Sequence, residues 1–291
     1  MRAFGNPIAG GPRRPRRAGR PLLMGVLNVT PDSFSDGGKF MAPREAVRQG
    51  LRLAADGADL IDVGGESTRP GSSPVPVAEE LRRTVPVIRR LRERTAVPIS
   101  IDTWKAAVAR RALAAGATIV NDVTALRGDP DMADVVRRAK ARVILMHMQG
   151  TPRTMQRRPR YRDVVADVAE FLRSAARRAV RSGIPASRIL VDPGIGFGKT
   201  VEHNLLLIRH LDRLAGLGYP VVIGPSRKSF IGRLLGAPVE DRLAGTLACA
   251  AAARARGVAV IRVHDVRPAR DLLAMLEAID GPVRRGSGGA R

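Results

Sequence analysis

Short apolar stretches recur along this chain, and each runs into polar residues at its C-terminal end. Eight can be read: Leu22–Asn28, Ala58–Val63, Pro98–Asp102, Thr118–Asn121, Arg142–Met146, Arg188–Asp192, Pro220–Gly224 and Val258–Val263. Brief, nearly continuous apolar runs suit strands that are buried on both faces. Helical spacing fills the intervals: Ala42–Asp56, Val77–Arg94, Lys105–Ala115, Met132–Ala139, Val164–Ser182, His203–Ala215, Phe230–Leu235 with Arg242–Arg256, and Arg267–Ile279. Glu79 and Glu80 open the second helix, where its dipole favours acids, and Gly116 and Gly183 stop the third and fifth. Eight such units predict an α/β chain folded as a (β/α)8 TIM barrel of one domain; an open doubly wound sheet is the alternative. Parallel strands all end on one rim. The clusters at Asn28, Thr68–Arg69, Asp102, Asn121, His147, Asp192, Ser226–Ser229 and Arg262–His264 therefore converge where α/β barrels keep their active sites, and the chain reads as an enzyme.

Three connections that follow strands are long: Val29–Met41, Gly64–Val75 and Gly150–Tyr161. Those after strands one and two are densely polar and read as flexible lids over the rim. The ends read differently from the body. Residues 1–20 are rich in Arg, Pro and Gly without periodicity, which predicts a disordered tail lacking the apolar core of a secretory signal. Residues 281–291 read as a second disordered tail, leaving residues 21–280 as the barrel.

Composition changes this picture little. Aromatic residues are 3% of the chain, so its core must be aliphatic. The net charge is +23, and the two ends carry nine of the arginines and no acid, which leaves about +14 on the body. Aromatic side chains do not interleave with these arginines, so the charge reads as a solvated surface and nucleic acid is not an expected partner. No apolar run reaches the roughly 18 residues of a membrane span. Cys249 is the only cysteine, which excludes a disulfide framework and fits the cytoplasm.

The motifs are more specific. Met24-Gly-Val-Leu-Asn-Val-Thr-Pro-Asp-Ser-Phe-Ser-Asp-Gly-Gly38 and Gly64-Gly-Glu-Ser-Thr-Arg-Pro-Gly71 are followed in order by Ser100-Ile-Asp-Thr103, Val120-Asn-Asp122 and Leu145-Met-His-Met-Gln-Gly150. Asp192-Pro-Gly-Ile-Gly-Phe-Gly-Lys199, Ser226-Arg-Lys-Ser229 and Ile261-Arg-Val-His-Asp265 complete the series. Over residues 21–280 this order resembles the dihydropteroate synthase family. The resemblance implies a folate-synthesis transferase that joins 6-hydroxymethyl-7,8-dihydropterin pyrophosphate to p-aminobenzoate, giving 7,8-dihydropteroate and pyrophosphate. It also implies assistance by Mg²⁺, competition by sulfonamides and a homodimer. Pro225 departs from the expected pattern and would stiffen the Ser-Arg-Lys-Ser loop. A pterin-dependent methyltransferase domain shares the barrel and pterin contacts but not the first loop or the Ser-Arg-Lys-Ser motif. A non-catalytic pterin-binding paralogue would keep them all.

The residues suit that chemistry. A dihydropterin offers a row of N–H donors, and a buried carboxylate accepts two of them; Asp192, held by Pro193 and Gly194, is the candidate. By resemblance Asp102 and Asn121 complete the ring contacts, Lys228 donates to the ring carbonyl and N5 side, Thr68 joins the pterin pyrophosphate site, and Asn28 meets pyrophosphate and Mg²⁺ together. Arg262 and His264 alternate on the last strand, so both face the leaving pyrophosphate as cation and donor. Helix dipole and free N–H groups at Ser229 suit the carboxylate of p-aminobenzoate. Phe197 and Pro70 could sandwich its ring, with Thr68 and Arg69 closing over it. No nucleophilic triad is visible, so no covalent intermediate is expected. Asp102 and Asp192 would stabilise a cation at the pterin methylene, while Arg262, His264 and the metal stabilise the leaving group.

Overall fold

In the computed structural model, which describes residues 20–30, 42–68 and 71–281, the apolar runs become eight parallel strands. They are β1 (Leu22–Asn28), β2 (Leu60–Gly64), β3 (Ile99–Asp102), β4 (Ile119–Asp122), β5 (Arg142–Met146), β6 (Ile189–Asp192), β7 (Val222–Ile223) and β8 (Val260–Val263). Neighbours pair in chain order from β1 to β6, and β8 lies between β1 and β7. A parallel bridge between Val191 and Val221 joins β6 to the approach of β7 and closes the ring. The closed barrel, not the open sheet, is the solution this alternation takes.

The helices are α1 (Ala42–Ala55), α2 (Val77–Arg94), α3 (Ala106–Ala114), α4 (Met132–Arg138), α5 (Val164–Arg181), α6 (Val201–Arg209), α7 (Leu211–Ala215), α8 (Ser229–Leu235), α9 (Leu243–Ala255) and α10 (Val266–Asp280). Each follows its strand and covers the outside of the barrel. One expectation fails here: His203–Ala215 is not a single helix. His210 takes φ −115°, ψ 31°, which ends α6 and starts the short α7. Glu79 and Glu80 do lie in the first turn of α2, and Glu80 is in addition buried against Lys105.

Alternation along the strands divides the side chains. Outward residues such as Leu27, Ile61, Ile101, Val120, Val143, Val191, Ile223 and Val263 join Leu53, Leu91, Leu172, Leu207 and Leu273 of the helices in one aliphatic core. Inward residues Met24, Leu60, Ile119, Ile144, Leu190, Val222 and Val260 form a separate apolar plug at the N-terminal end of the barrel. Two positions further along β2, β4, β6 and β8 the inward residues are polar, at Asp62, Asn121, Asp192 and Arg262. Asp62 lies beside Ser100 in the ladder, Gly64 beside Asp102, and Asp102 beside Asn121. The plug excludes water from below, so these polar groups can be reached only from the C-terminal mouth. Of the two tails expected at residues 1–20 and 281–291, all but Arg20 and Gly281 lie outside the described residues. Arg20 pairs with Asp59 at 3.2 Å.

Candidate active site

Arg262 stands at the centre of the mouth. Its Nε donates to Asp62 Oδ2 at 2.6 Å and its Nη2 to Asp102 Oδ2 at 2.9 Å. Asn121 Nδ2 donates to the same Asp62 oxygen at 3.0 Å. Burial disfavours the guanidinium charge, but the two carboxylates more than offset this and hold its pKa above the ordinary value. Two buried acceptors stay unused: Asp62 Oδ1 and Ser100 Oγ have no hydrogen-bond partner. Burial and the neighbouring Asp62 push Asp102 up to about 7, against the pull of Arg262. Burial likewise pushes Asp192 up to about 6, although Gly194 N–H donates to its Oδ1 at 2.6 Å. The floor is therefore rich in acceptors whose ionised forms lack solvent. A ligand bringing N–H donors or developing positive charge supplies what they miss.

Asp62 is the floor residue that sequence reasoning missed. The signal is an acid inside the apolar run Leu60-Ile-Asp-Val-Gly64, which cannot face the helices without stranding its charge. It is fully buried on the inner face and orients Arg262.

On the next wall Gly194 fills a place no other residue could take. A Cβ there would lie 2.0 Å from the His147 carbonyl oxygen, and its φ is +67°. Lys199, almost fully buried, donates from Nζ to the Phe197 carbonyl at 2.9 Å and sits 2.9 Å from His147 Nδ1. Burial drives His147 down to about 2 and Lys199 down to about 7, with Asp192 opposing the latter shift. His147 meets Phe171 edge-on at 4.8 Å, so this strand-end histidine braces the wall. Phe197 is 9% exposed and clusters with Val123, Met146, Met148 and Met155, with Trp104 alongside. Lys228 Nζ lies 4.1 Å from its ring centroid and covers one face. The methionines were not singled out from the sequence, because nothing in an apolar residue type marks a binding wall.

The Ser-Arg-Lys-Ser loop turns Arg227 and Lys228 opposite ways. Arg227 has φ +57° and donates twice to Asp265, at 2.9 and 2.5 Å. Its N–H donates to Thr246 Oγ1 at 3.1 Å, and Arg242 holds its carbonyl at 3.1 Å. Lys228 is thereby left to face Phe197, and exposed Ser229 opens α8. His264 Nδ1 lies 3.0 Å from Ser226 Oγ, and burial together with Arg262 takes its pKa down to about 3. Arg262 is thus the cation of the pair and His264 a neutral ring. Asn28 ends β1, and a methyl group on Gly64 would lie 3.7 Å from both Asn28 Oδ1 and Asp102 Oδ2. These two oxygens share one small cradle.

Asp102, Asn121, Asp192, Arg262, His264, Lys228, Phe197, Ser229 and Asn28 thus occur on one rim. Thr68 is half-buried on the loop after β2; Arg69 and Pro70 lie outside the described residues. No three His, Cys, Asp or Glu side chains group as a metal cage among the described residues.

A barrel whose mouth holds buried acceptors around one arginine defines a class, and sequence comparison gives that class its description. The family described as "Pterin binding enzyme" matches residues 24–264. A dihydropteroate synthase of Synechocystis is 44% identical, with 89% of this chain and 90% of the relative covered. A Xanthomonas albilineans dihydropteroate synthase with 4-aminobenzoic acid superposes with a TM-score of 0.86 at 50% identity, covering 90% of this chain and 94% of that one. A structure of the same organism's enzyme in complex with 7,8-dihydropteroate has a TM-score of 0.82 at 47% identity, covering 90% and 95%. The chain belongs to the pterin-binding enzyme family and, within it, to the dihydropteroate synthases.

Proposed function

We propose that this chain condenses 6-hydroxymethyl-7,8-dihydropterin pyrophosphate with p-aminobenzoate to give 7,8-dihydropteroate and pyrophosphate. The observation that carries this reading is the floor of Asp62, Asp102, Asn121 and Asp192 around Arg262, with acceptors left unused at the closed end of the barrel. A pterin edge is flat, rich in N–H donors and small enough to reach that floor. Asp192 accepts the paired N–H donors, Asp102 and Asn121 take the rest of the ring, and Lys228 donates to its carbonyl and N5 side.

Reaction begins when the bond between the pterin methylene carbon and the pyrophosphate oxygen breaks and its electron pair leaves with the oxygen. Ionised Asp192 and Asp102 stabilise the methylene cation through the ring. Arg262 faces the departing oxygens with the guanidinium edge that its two carboxylates leave over. His264, being neutral, supplies a hydrogen bond there and not charge. The amine of p-aminobenzoate then forms the new carbon–nitrogen bond and loses a proton to solvent. Thr68, Arg69, Pro70, Phe197 and Ser229 make the second-substrate half, and the methionines beside Phe197 extend its apolar wall.

Asn28 Oδ1, at the end of β1, is a hard oxygen of the kind that Mg²⁺ takes, whereas Asp102 Oδ2 is already held by Arg262. When bound there, the metal neutralises pyrophosphate charge. Asn28 would hold it, with substrate oxygens and water filling the other positions. We assign the working form to a homodimer, which the exposed Leu234, Leu235 and Val239 on and beyond α8 support, and its compartment to the cytoplasm. Free Cys249 fits that compartment, and no helix of the described residues is long and apolar enough to cross a membrane.

The test is pyrophosphate release by the purified protein with dihydropterin pyrophosphate, Mg²⁺ and p-aminobenzoate, each omitted in turn. Release that needs both organic substrates and yields dihydropteroate is the expected result. Tight pterin binding without such release would overturn it in favour of a non-catalytic binding role.

A further inference from the structure

The loop between β2 and α2 is held by a buried charge cluster that no step of the reaction uses. Lys105, the residue before α3, is 6% exposed. Its Nζ donates to Glu66, to Glu80 at 2.6 Å and to the carbonyl of Val75 at 2.6 Å. Glu66 Oε2 also accepts the N–H of Val75 at 2.9 Å. Glu66 starts the loop and Val75 finishes it, so the Lys105–Glu66 pair binds both backbone polar groups of Val75 and ties the loop's two ends together. The other Glu66 oxygen accepts Trp104 Nε1 at 3.0 Å. Trp104 in turn packs beside Met146, Met148 and Phe197. Gly65 lies so close to α2 that a Cβ would come within 2.7 Å of Thr84 Cγ2. A second tie lies further along the loop, where Gly71 N–H donates to the Pro152 carbonyl at 3.1 Å.

Stability alone does not call for this arrangement. Taking three charges from water costs several kcal/mol per ion, and an apolar replacement of the same shape is often as stable. Here the cost is not fully offset, because Glu80 Oε1 has no partner. What the cluster does secure is direction. It joins the neck of the loop to the apolar wall, with Thr68 two residues beyond the tie.

We propose that Lys105, Glu66 and Trp104 position the β2–α2 loop over the second-substrate half of the site, so that they set affinity for p-aminobenzoate and not for the pterin. This rests on the reading that Thr68 closes over p-aminobenzoate. They are positioning residues, since none reaches the floor around Arg262.

The test compares Trp104→Phe, Glu66→Gln and Lys105→Met with the parent and with Thr68→Ala. The readouts are KM for p-aminobenzoate, kcat, calorimetric Kd for dihydropterin pyrophosphate with Mg²⁺, and Tm. Trp104→Phe removes one hydrogen bond and keeps the ring, so it carries the test even if Lys105→Met fails to fold. Expected are rises in KM for p-aminobenzoate of about threefold to tenfold for Trp104→Phe and Glu66→Gln, and more for Lys105→Met, with the pterin Kd within about twofold. If Thr68→Ala raises that KM while Trp104→Phe and Glu66→Gln leave it unchanged, the inference falls and the reading beneath it stands. If Thr68→Ala is also silent, both fall. Equal losses for both substrates that track Tm would mark a structural cluster and overturn the proposal.

Discussion

The half of the site that grows from strands and the half that grows from loops are held by different forces. Asp62, Asp102, Asn121, Asp192 and Arg262 stand on or at the ends of paired strands, so the ladder sets their spacing; hydrogen bonds through Arg262 and Asp62 set the rotamers of four of them, and the Gly194 N–H holds Asp192. Thr68, Phe197, Lys228 and Ser229 stand on connections. Each of those connections is fixed by a tie of its own: Lys105–Glu66 for the first, Lys199 to the Phe197 carbonyl for the second, Arg227–Asp265 for the third. The strand-borne half is thus a rigid acceptor floor for one substrate. The loop-borne half, which serves p-aminobenzoate apart from the contact of Lys228 with the pterin, is adjustable at points remote from the chemistry.

The sharpest way to break this contrast is at Asp192. Asp192→Ala should weaken dihydropterin pyrophosphate binding by about a hundredfold or more, since it removes a buried, charge-assisted acceptor. Isothermal calorimetry reads this directly, and near-normal affinity would refute the assignment of the floor. Tm should change much less, because the parent carboxylate is itself disfavoured by burial.

Asp62→Asn comes next. The variant keeps the shape but brings an N–H₂ group against Arg262 and Asn121 or leaves them with a weaker acceptor. A fall in kcat/KM of about tenfold to a hundredfold for the pterin substrate is expected, with KM for p-aminobenzoate little changed. An equal rise in both KM values would blur the two halves into one.

What the sequence disclosed follows the same division. Strand-borne residues were readable because a buried strand has a period of two and an abrupt polar end, so Asp102, Asn121, Asp192 and Arg262 fall into place from pattern alone. Asp62 obeys the same period but lies in the middle of its strand, where no abrupt polar end marks it. Lys105, Glu66 and Lys199 were not readable as ties. Their partners lie 39, 25 and 52 positions away, and a Lys or Glu near a helix start looks like a solvated charge until the loops are built. The break at His210 was hidden because Leu206, Leu207, Leu211 and Leu214 continue an apolar spacing across it.

Protonation gives a finer test of the floor. Asp102 and Asp192 have folded pKa values of about 7 and about 6, raised from the ordinary 3.8. A raised carboxylate means that the folded protein holds its proton more tightly than the unfolded chain does. The associated stability is present below about pH 4 and is lost as pH rises toward 7. A pterin binds the ionised floor, so its affinity should increase over the upper part of this window, between about pH 5 and 7.5. The rise in Tm caused by saturating pterin pyrophosphate should grow over the same range. Calorimetry and thermal melts in matched buffers would show it, and Asp62→Asn should move the Asp102 step to lower pH by removing a neighbouring negative charge. A pH-independent pterin Kd would argue that the carboxylates keep their protons on binding.

The smallest expected effect lies on the third loop tie. Asp265→Asn leaves Arg227, at φ +57°, with one good acceptor where it had two, in a pair whose side chains are 39% and 20% exposed. Pairs of that exposure contribute about 1 kcal/mol or less, so a change of about twofold to fivefold is the ceiling. The direction matters more than the size. If Arg227 serves to turn Lys228 inward, the loss should fall on the substrates that meet Lys228 and Ser229, and raising salt should reproduce part of it in the parent by screening the same pair. The tie at Lys105 is buried and should resist salt. A salt-sensitive third loop beside a salt-resistant first one would show that loops of one active site are tethered with different strength, and that burial of the tether sets the difference.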